Sequence, residues 1–167
     1  VQTCALPISR AASPSKRLRV LQELSAKGVS AGVLASPMIP GLNDSELEDI
    51  LKASASHGAN CAGYIILRLP HQIKELFTSW LKEHFPDRAS HILNLIRDTR
   101  GGTLYQNQFG TRMSGTWAYA QLLKQRFELG IKKYGLNTGP APLATELFTA
   151  PDTMTAKEKI NRQLKLF

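Results

Sequence analysis

Two short apolar runs, Val29 to Ser36 and Cys61 to Leu69, each stop at a proline, and the stretch between them has room for one helix and its turns. Antiparallel strands can be joined by a tight turn, whereas parallel strands need a crossover of a dozen or more residues, usually helical. Here the intervening residues carry helix signals. Asn43 with Glu46 three positions later offers a capping box, Leu47, Ile50 and Leu51 form an apolar stripe, and Gly58 closes the helix after His57. Strand, helix, strand therefore predicts a parallel βαβ unit with both sheet faces covered. Two strands are not stable as an independent sheet. The partner strands are expected upstream of Val1, and in their absence Val33, Leu34, Ile65 and Ile66 are expected to expose apolar edges and faces.

The remaining chain reads as helical. Ser13-Pro14 places a capping hydroxyl ahead of a proline at the first helical position, and Leu18, Leu21 and Leu24 recur up to Gly28, which predicts a helix over 14–27. Pro40-Gly41 suits the central positions of a type II turn. Beyond His71, Ile73, Phe77, Trp80 and Leu81 mark one amphipathic helix, and Pro86 opens another carrying Ile92, Leu93 and Ile96 before Gly101-Gly102. After a long loop, Leu123, Phe127, Ile131 and Tyr134 line the core face of a helix that ends at Gly135. Residues 137–151 are rich in Pro, Gly, Ala and Thr, and Thr155 to Phe167 reads as a marginal basic helix.

The first eight residues stand apart. They carry no charge, periodicity or capping signal, and Gln2 to Ile8 match the in-frame translation of a common sequencing-library adapter. Residues 1–8 are read as an artefact, 9–70 as the distal part of a barrel, 71–136 as a helical region and 137–167 as a loop and tail. Cys4 then has no meaning. Cys61 opens an apolar run and is expected to be buried as a small hydrophobe. Neither cysteine has metal-ligand spacing to another cysteine or histidine, so this stretch builds no metal site by itself.

With 43% apolar residues the chain has the makings of a packed core. No apolar run approaches the roughly 20 residues of a membrane-spanning helix, no secretion signal is recognisable, and a cytoplasmic location is expected. The net charge of +8 favours an anionic partner such as nucleic acid, although the basic residues are spread over several helices and read as solvated faces equally well.

In parallel α/β folds ligands bind beyond the C-terminal ends of the strands. Two segments qualify: Ser36 to Asp44, with backbone amides around Gly41 and an apolar ledge from Met38 and Ile39, and Arg68 to His71, with a cation and an imidazole. From the residues alone the first reads rather as a rigid strand-to-helix turn, and the second as a solvated turn. The loop Phe109 to Gly115 either presents Arg112 to an anion or links two helices with Phe109 and Trp117 plugged into the core.

Taken in order, Arg10-Ala-Ala-Ser-Pro-Ser-Lys-Arg-Leu18, Ala35-Ser-Pro-Met-Ile-Pro-Gly-Leu-Asn-Asp44, Ala62-Gly-Tyr-Ile-Ile-Leu-Arg-Leu-Pro-His71 and Phe109-Gly-Thr-Arg-Met-Ser-Gly115 resemble the second half of radical S-adenosylmethionine (SAM) proteins related to spore photoproduct lyase. The resemblance spans about residues 10–150. It implies an α/β fold, the C-terminal part of an incomplete (β/α)6 barrel followed by a helical region. It also implies a [4Fe-4S] cluster held by a Cys-x-x-x-Cys-x-x-Cys motif, which this sequence lacks, SAM as cofactor, an external electron donor, and reductive SAM cleavage to a 5'-deoxyadenosyl radical. By position, Ile39 and Gly41 correspond to the end of the fifth strand, where the family supports adenine. Leu67 and Arg68 correspond to the end of the sixth, and Arg10 to an approach toward the SAM carboxylate or ribose. His71 and Arg112 become candidate substrate contacts, with nucleic acid as the substrate suggested by the family's named member. The chain itself is expected to bind neither cluster nor SAM. A competing reading makes it a basic helical module contacting DNA or RNA through Lys124, Arg126, Lys132 and Lys133.

Overall fold

The computed structural model describes residues 12–136. In chain order these form α1 (Pro14–Ala26), β1 (Gly32–Met38), a short 3-10 turn (Asp44–Glu46), α2 (Leu47–Ser56), β2 (Cys61–Ile66), α3 (Ile73–His84), α4 (Pro86–Asp98) and α5 (Ala118–Tyr134). The fold is α/β: five helices and a two-stranded parallel sheet among the described residues. The assigned segments 1–8 and 137–167, together with Arg10, lie outside those residues.

β1 and β2 run parallel in the register Gly32 to Cys61 through Ala35 to Tyr64, then slip before Met38 meets Ile66. The crossover helix is α2, as the spacing predicts. β1 begins three residues later than the apolar run. Val29 is tied to the end of α1, where its N–H reaches Leu24 O (3.0 Å) and that of Gly28 reaches Ser25 O (2.9 Å), a Schellman closure. The strand continues past a cis Ser36–Pro37 peptide to Met38. β2 ends at Ile66 rather than Leu69, because β1 offers its last acceptor, Met38 O, to Leu67 N–H (2.9 Å).

Side-chain alternation divides the sheet sharply. Val33, Ala35, Ala62, Tyr64 and Ile66 pack with Leu47 and Leu51 of α2 and Leu123 and Phe127 of α5 in the first core cluster. Tyr64 and Phe127 meet with ring centroids 4.7 Å apart. The opposite face carries Gly32, Leu34 and Ser36 beside Cys61, Gly63 and Ile65. None of these belongs to either core cluster, and Leu34 is 60% exposed. Among the described residues, helices thus cover one face, not the two expected, and β1 pairs on one edge. Ile66 departs from expectation in the other direction. It faces α2 and α5 and is fully buried. Cys61, on the bare face, is half-buried and free.

A second cluster joins α3 and α4 through Leu81, Ala89, Ile92, Leu93 and Ile96, with Leu69, Ile39, Leu42 and Leu67 from the strand ends. The loops beyond the strands are therefore seated on this helical pair. α1 has no buried residue, though Leu21 leans on the first cluster. No helix among the described residues is long and apolar enough to cross a membrane.

Candidate ligand site at the strand ends

The β1–α2 connection is internally saturated. Pro40 and Gly41 (φ +71°) form the predicted turn, closed by Leu42 N–H to Ile39 O at 3.0 Å. The expected capping box does not form, because the Asn43 side chain folds back instead. Its Oδ1 accepts from Ile39 N–H at 2.7 Å and its Nδ2 donates to Pro37 O at 3.1 Å. Asp44 Oδ1 accepts from Gly41 N–H at 2.9 Å, and Arg88 donates to Gly41 O. The amides expected to be free around Gly41 are thus occupied, and Met38, expected as a ledge, is 2% exposed.

α5 fastens this turn from behind. Tyr119 donates to Asp44 Oδ2 at 2.6 Å, and Arg126 grips Glu48 with two bonds of 2.8 and 2.6 Å while reaching Asp44 O at 2.9 Å. Burial first, then the Asp44 carboxylate, pushes the Tyr119 phenol up to about 12. The Arg126 hydrogen bond holds Glu48 below the ordinary carboxyl range. Arg126 is therefore committed to carboxylates. Lys124 lies 3.7 Å from Glu128, and Lys133 sits over the Tyr134 ring, so the basic face read on this helix is partly spoken for.

At the end of β2 the organising residue is Arg100, just beyond α4 and 2% exposed. Its Nη2 donates to Ile66 O and Leu67 O at 3.2 and 3.0 Å, and its Nη1 to Arg112 O and Thr111 O at 2.8 and 3.4 Å. With Ile66 N–H bonded to Met113 O at 2.9 Å, this pins the 109–115 loop along the free edge of β2. Burial, and then the charge of Arg68, pull the Arg100 guanidinium below its ordinary value, while Tyr105 acts in the opposite sense. Arg68 is half-buried. Its Nη1 lies 4.0 Å from Met113 Sδ, and its Nε is buried without a partner, as are Arg100 Nε and Thr111 Oγ1.

The predicted residues are therefore distributed unevenly. Leu67 and Arg68 sit at the β2 end, and the Arg112 carbonyl joins them through Arg100. Ile39 and Gly41 lie on the neighbouring turn, half-buried against the α4 cluster. The Arg112 guanidinium stacks 5.4 Å over Phe109. Phe109 and Trp117 are 87% and 57% exposed, so neither is plugged into the core. His71 is exposed, with φ +46°, and among the described residues no hydrogen bond or ring contact joins its side chain to the other candidates. Sequence reading passed over Arg100 entirely. A single arginine before Gly-Gly reads as a solvated helix end, and nothing local betrays its burial.

The arrangement is that of an α/β unit with its loops at the C-terminal strand ends locked in place. The chain is similar to the uncharacterized protein Rv2578c of Mycobacterium tuberculosis and the uncharacterized protein Mb2609c of Mycobacterium bovis, at 29% identity over 143 residues in each case. The match takes in 83% of this chain and 38% of each relative, so the chain spans well under half the length of these relatives. No protein-family model matches the chain, and no solved structure matches it.

Proposed function

We propose that this chain is the distal part of a radical SAM enzyme related to spore photoproduct lyase, contributing the last two strands of an incomplete (β/α)6 barrel and the helices that follow. The observation that carries the reading is the sheet itself. A parallel pair packed on one face, with Leu34 exposed on the other and β1 unpaired on its outer edge among the described residues, has the form of the closing βαβ unit of a larger barrel. The length of the mycobacterial relatives, of which the chain spans 38%, is in keeping with that form.

The residues present do not fit a cluster. Cys61 is the one cysteine among the described residues, and no group of three His, Cys, Asp or Glu side chains there is placed to hold a metal. In this reading the thiolates that would hold a cluster come from the preceding half of the parent enzyme. What this chain brings is a wall and rim. With the backbone of Ile39, Gly41 and Leu67 already bonded, their contact with adenine would be apolar, and of these four neighbours Arg68 has a donor to spare. Arg10, His71 and Arg112 remain the further candidates for SAM and substrate, and nucleic acid the candidate substrate class.

The alternative basic helical module is weaker, since Arg126 is bound by Glu48 and Asp44 rather than presented to phosphate. The test is anaerobic reconstitution, with iron and sulfide, of the intact parent protein from a complete gene. A four-iron chromophore dependent on three upstream cysteines is expected, and a complete gene without such a motif would defeat the proposal.

A further inference from the structure

We propose that Arg68 and Arg100 form an oxyanion-binding site at the C-terminal end of β2, with the Thr111 hydroxyl as a third donor. This goes beyond the radical SAM reading and does not depend on it.

The argument starts from charge. Burying a guanidinium without a counter-charge is costly, and native structures normally supply a carboxylate. Arg126 illustrates the usual solution, with Glu48 and Asp44. Neither Arg68 nor Arg100 makes an ion pair among the described residues, although Arg100 is 2% exposed and Arg68 half-buried. Four carbonyl oxygens satisfy the terminal nitrogens of Arg100 but carry no net charge. Both arginines reach adjacent residues of the 109–115 loop, Arg68 Nη1 lying 4.0 Å from Met113 Sδ and Arg100 Nη1 2.8 Å from Arg112 O, and the charge of Arg68 disfavours the charged form of Arg100.

Hydrogen bonding points the same way. Arg68 Nε, Arg100 Nε and Thr111 Oγ1 are buried and lack partners. The first two are obligatory donors, and the hydroxyl can donate. Water would answer the hydrogen bonds but leave two like charges without a counter-charge. An oxyanion answers both requirements, and charge-assisted bonds from guanidinium to phosphate or carboxylate are among the strongest available. The location also fits, since ligands of parallel α/β folds bind beyond the C-terminal strand ends. The shared chemistry is an oxyanion, carried by either a phosphoryl or a carboxylate group.

The test uses the full 167-residue chain, titrated with inorganic phosphate or acetate against chloride at constant ionic strength, with binding followed by calorimetry. Saturable binding of one equivalent is expected, weakened at least tenfold in Arg68→Gln, partly retained in Arg68→Lys, and unchanged in Lys52→Gln on the exposed side of α2. Tighter binding of phosphate assigns a phosphoryl group, and tighter binding of acetate a carboxylate. Should Arg68→Gln lose its native circular dichroism, Thr111→Val provides the second reading, with at least a threefold loss. No saturable binding of either anion to the wild-type chain, or binding indifferent to both Arg68→Gln and Thr111→Val, overturns the site.

Discussion

The phenol of Tyr119, in the first turn of α5, donates a 2.6 Å hydrogen bond to Asp44, whose other carboxylate oxygen accepts the N–H of Gly41. One buried carboxylate thus joins α5 to the turn that follows β1. Replacing Tyr119 with Phe removes a charge-assisted bond and is expected to cost about 1–3 kcal/mol. The pH dependence has a definite sign. The folded phenol titrates near 12 rather than 10, so its contribution is complete below pH 10 and is lost as pH rises through 12. The difference in urea stability between wild type and Tyr119→Phe should shrink across that window, and a constant difference would contradict the assignment.

Glu48 acts on the opposite limb. Its bond from Arg126 holds the carboxyl below its ordinary value of 4.5, so the contribution is present above that value and is lost as pH falls through the lowered one. Wild type should exceed Glu48→Gln in stability at neutral pH, and the two should converge in acid. Unfolding curves at pH 7 and pH 3 make the comparison.

Gly41 is needed twice over. Its φ of +71° disfavours any side chain, and an added Cβ would lie 2.7 Å from Leu95 Cδ1 of α4. Gly41→Ala is expected to destabilise by about 2 kcal/mol or more, measured by thermal unfolding. A neutral result would mean that the turn and α4 are less closely apposed than described.

Arg100 holds the 109–115 loop against β2 through the carbonyls of Thr111 and Arg112. Arg100→Met keeps the apolar stem and removes the bonds. Hydrogen exchange at Ile66, whose N–H is bonded to Met113 O, should accelerate at least tenfold relative to amides at the centre of α4. Equal acceleration throughout would point to global destabilisation instead of a detached loop.

What was legible in the sequence was what is local. Proline at the first position of α1 and of α4, Gly135 in the left-handed C-cap of α5, and the Pro40-Gly41 turn are all found where composition and spacing put them. The crossover between β1 and β2 followed from chain length alone. Bonds between distant positions were not legible. Asn43 carries a capping-box signature, yet its side-chain amide completes the preceding turn, accepting from Ile39 N–H and donating to Pro37 O, and makes no cap bond to the helix. Asp44, Tyr119 and Arg126 are separated by as many as 82 positions, and Arg100 lies 34 from the carbonyl of Ile66 that it binds. Which arginine is buried depends on packing that no local period encodes.

The central claim is that these strands close the barrel of a radical SAM enzyme, and the most direct measurement is SAM cleavage. The intact parent protein, reconstituted anaerobically and reduced with dithionite, is predicted to release 5'-deoxyadenosine from SAM, while the 167-residue chain under identical conditions releases none. Absence of 5'-deoxyadenosine from a parent that holds its cluster, or its release by the chain alone, would contradict the account.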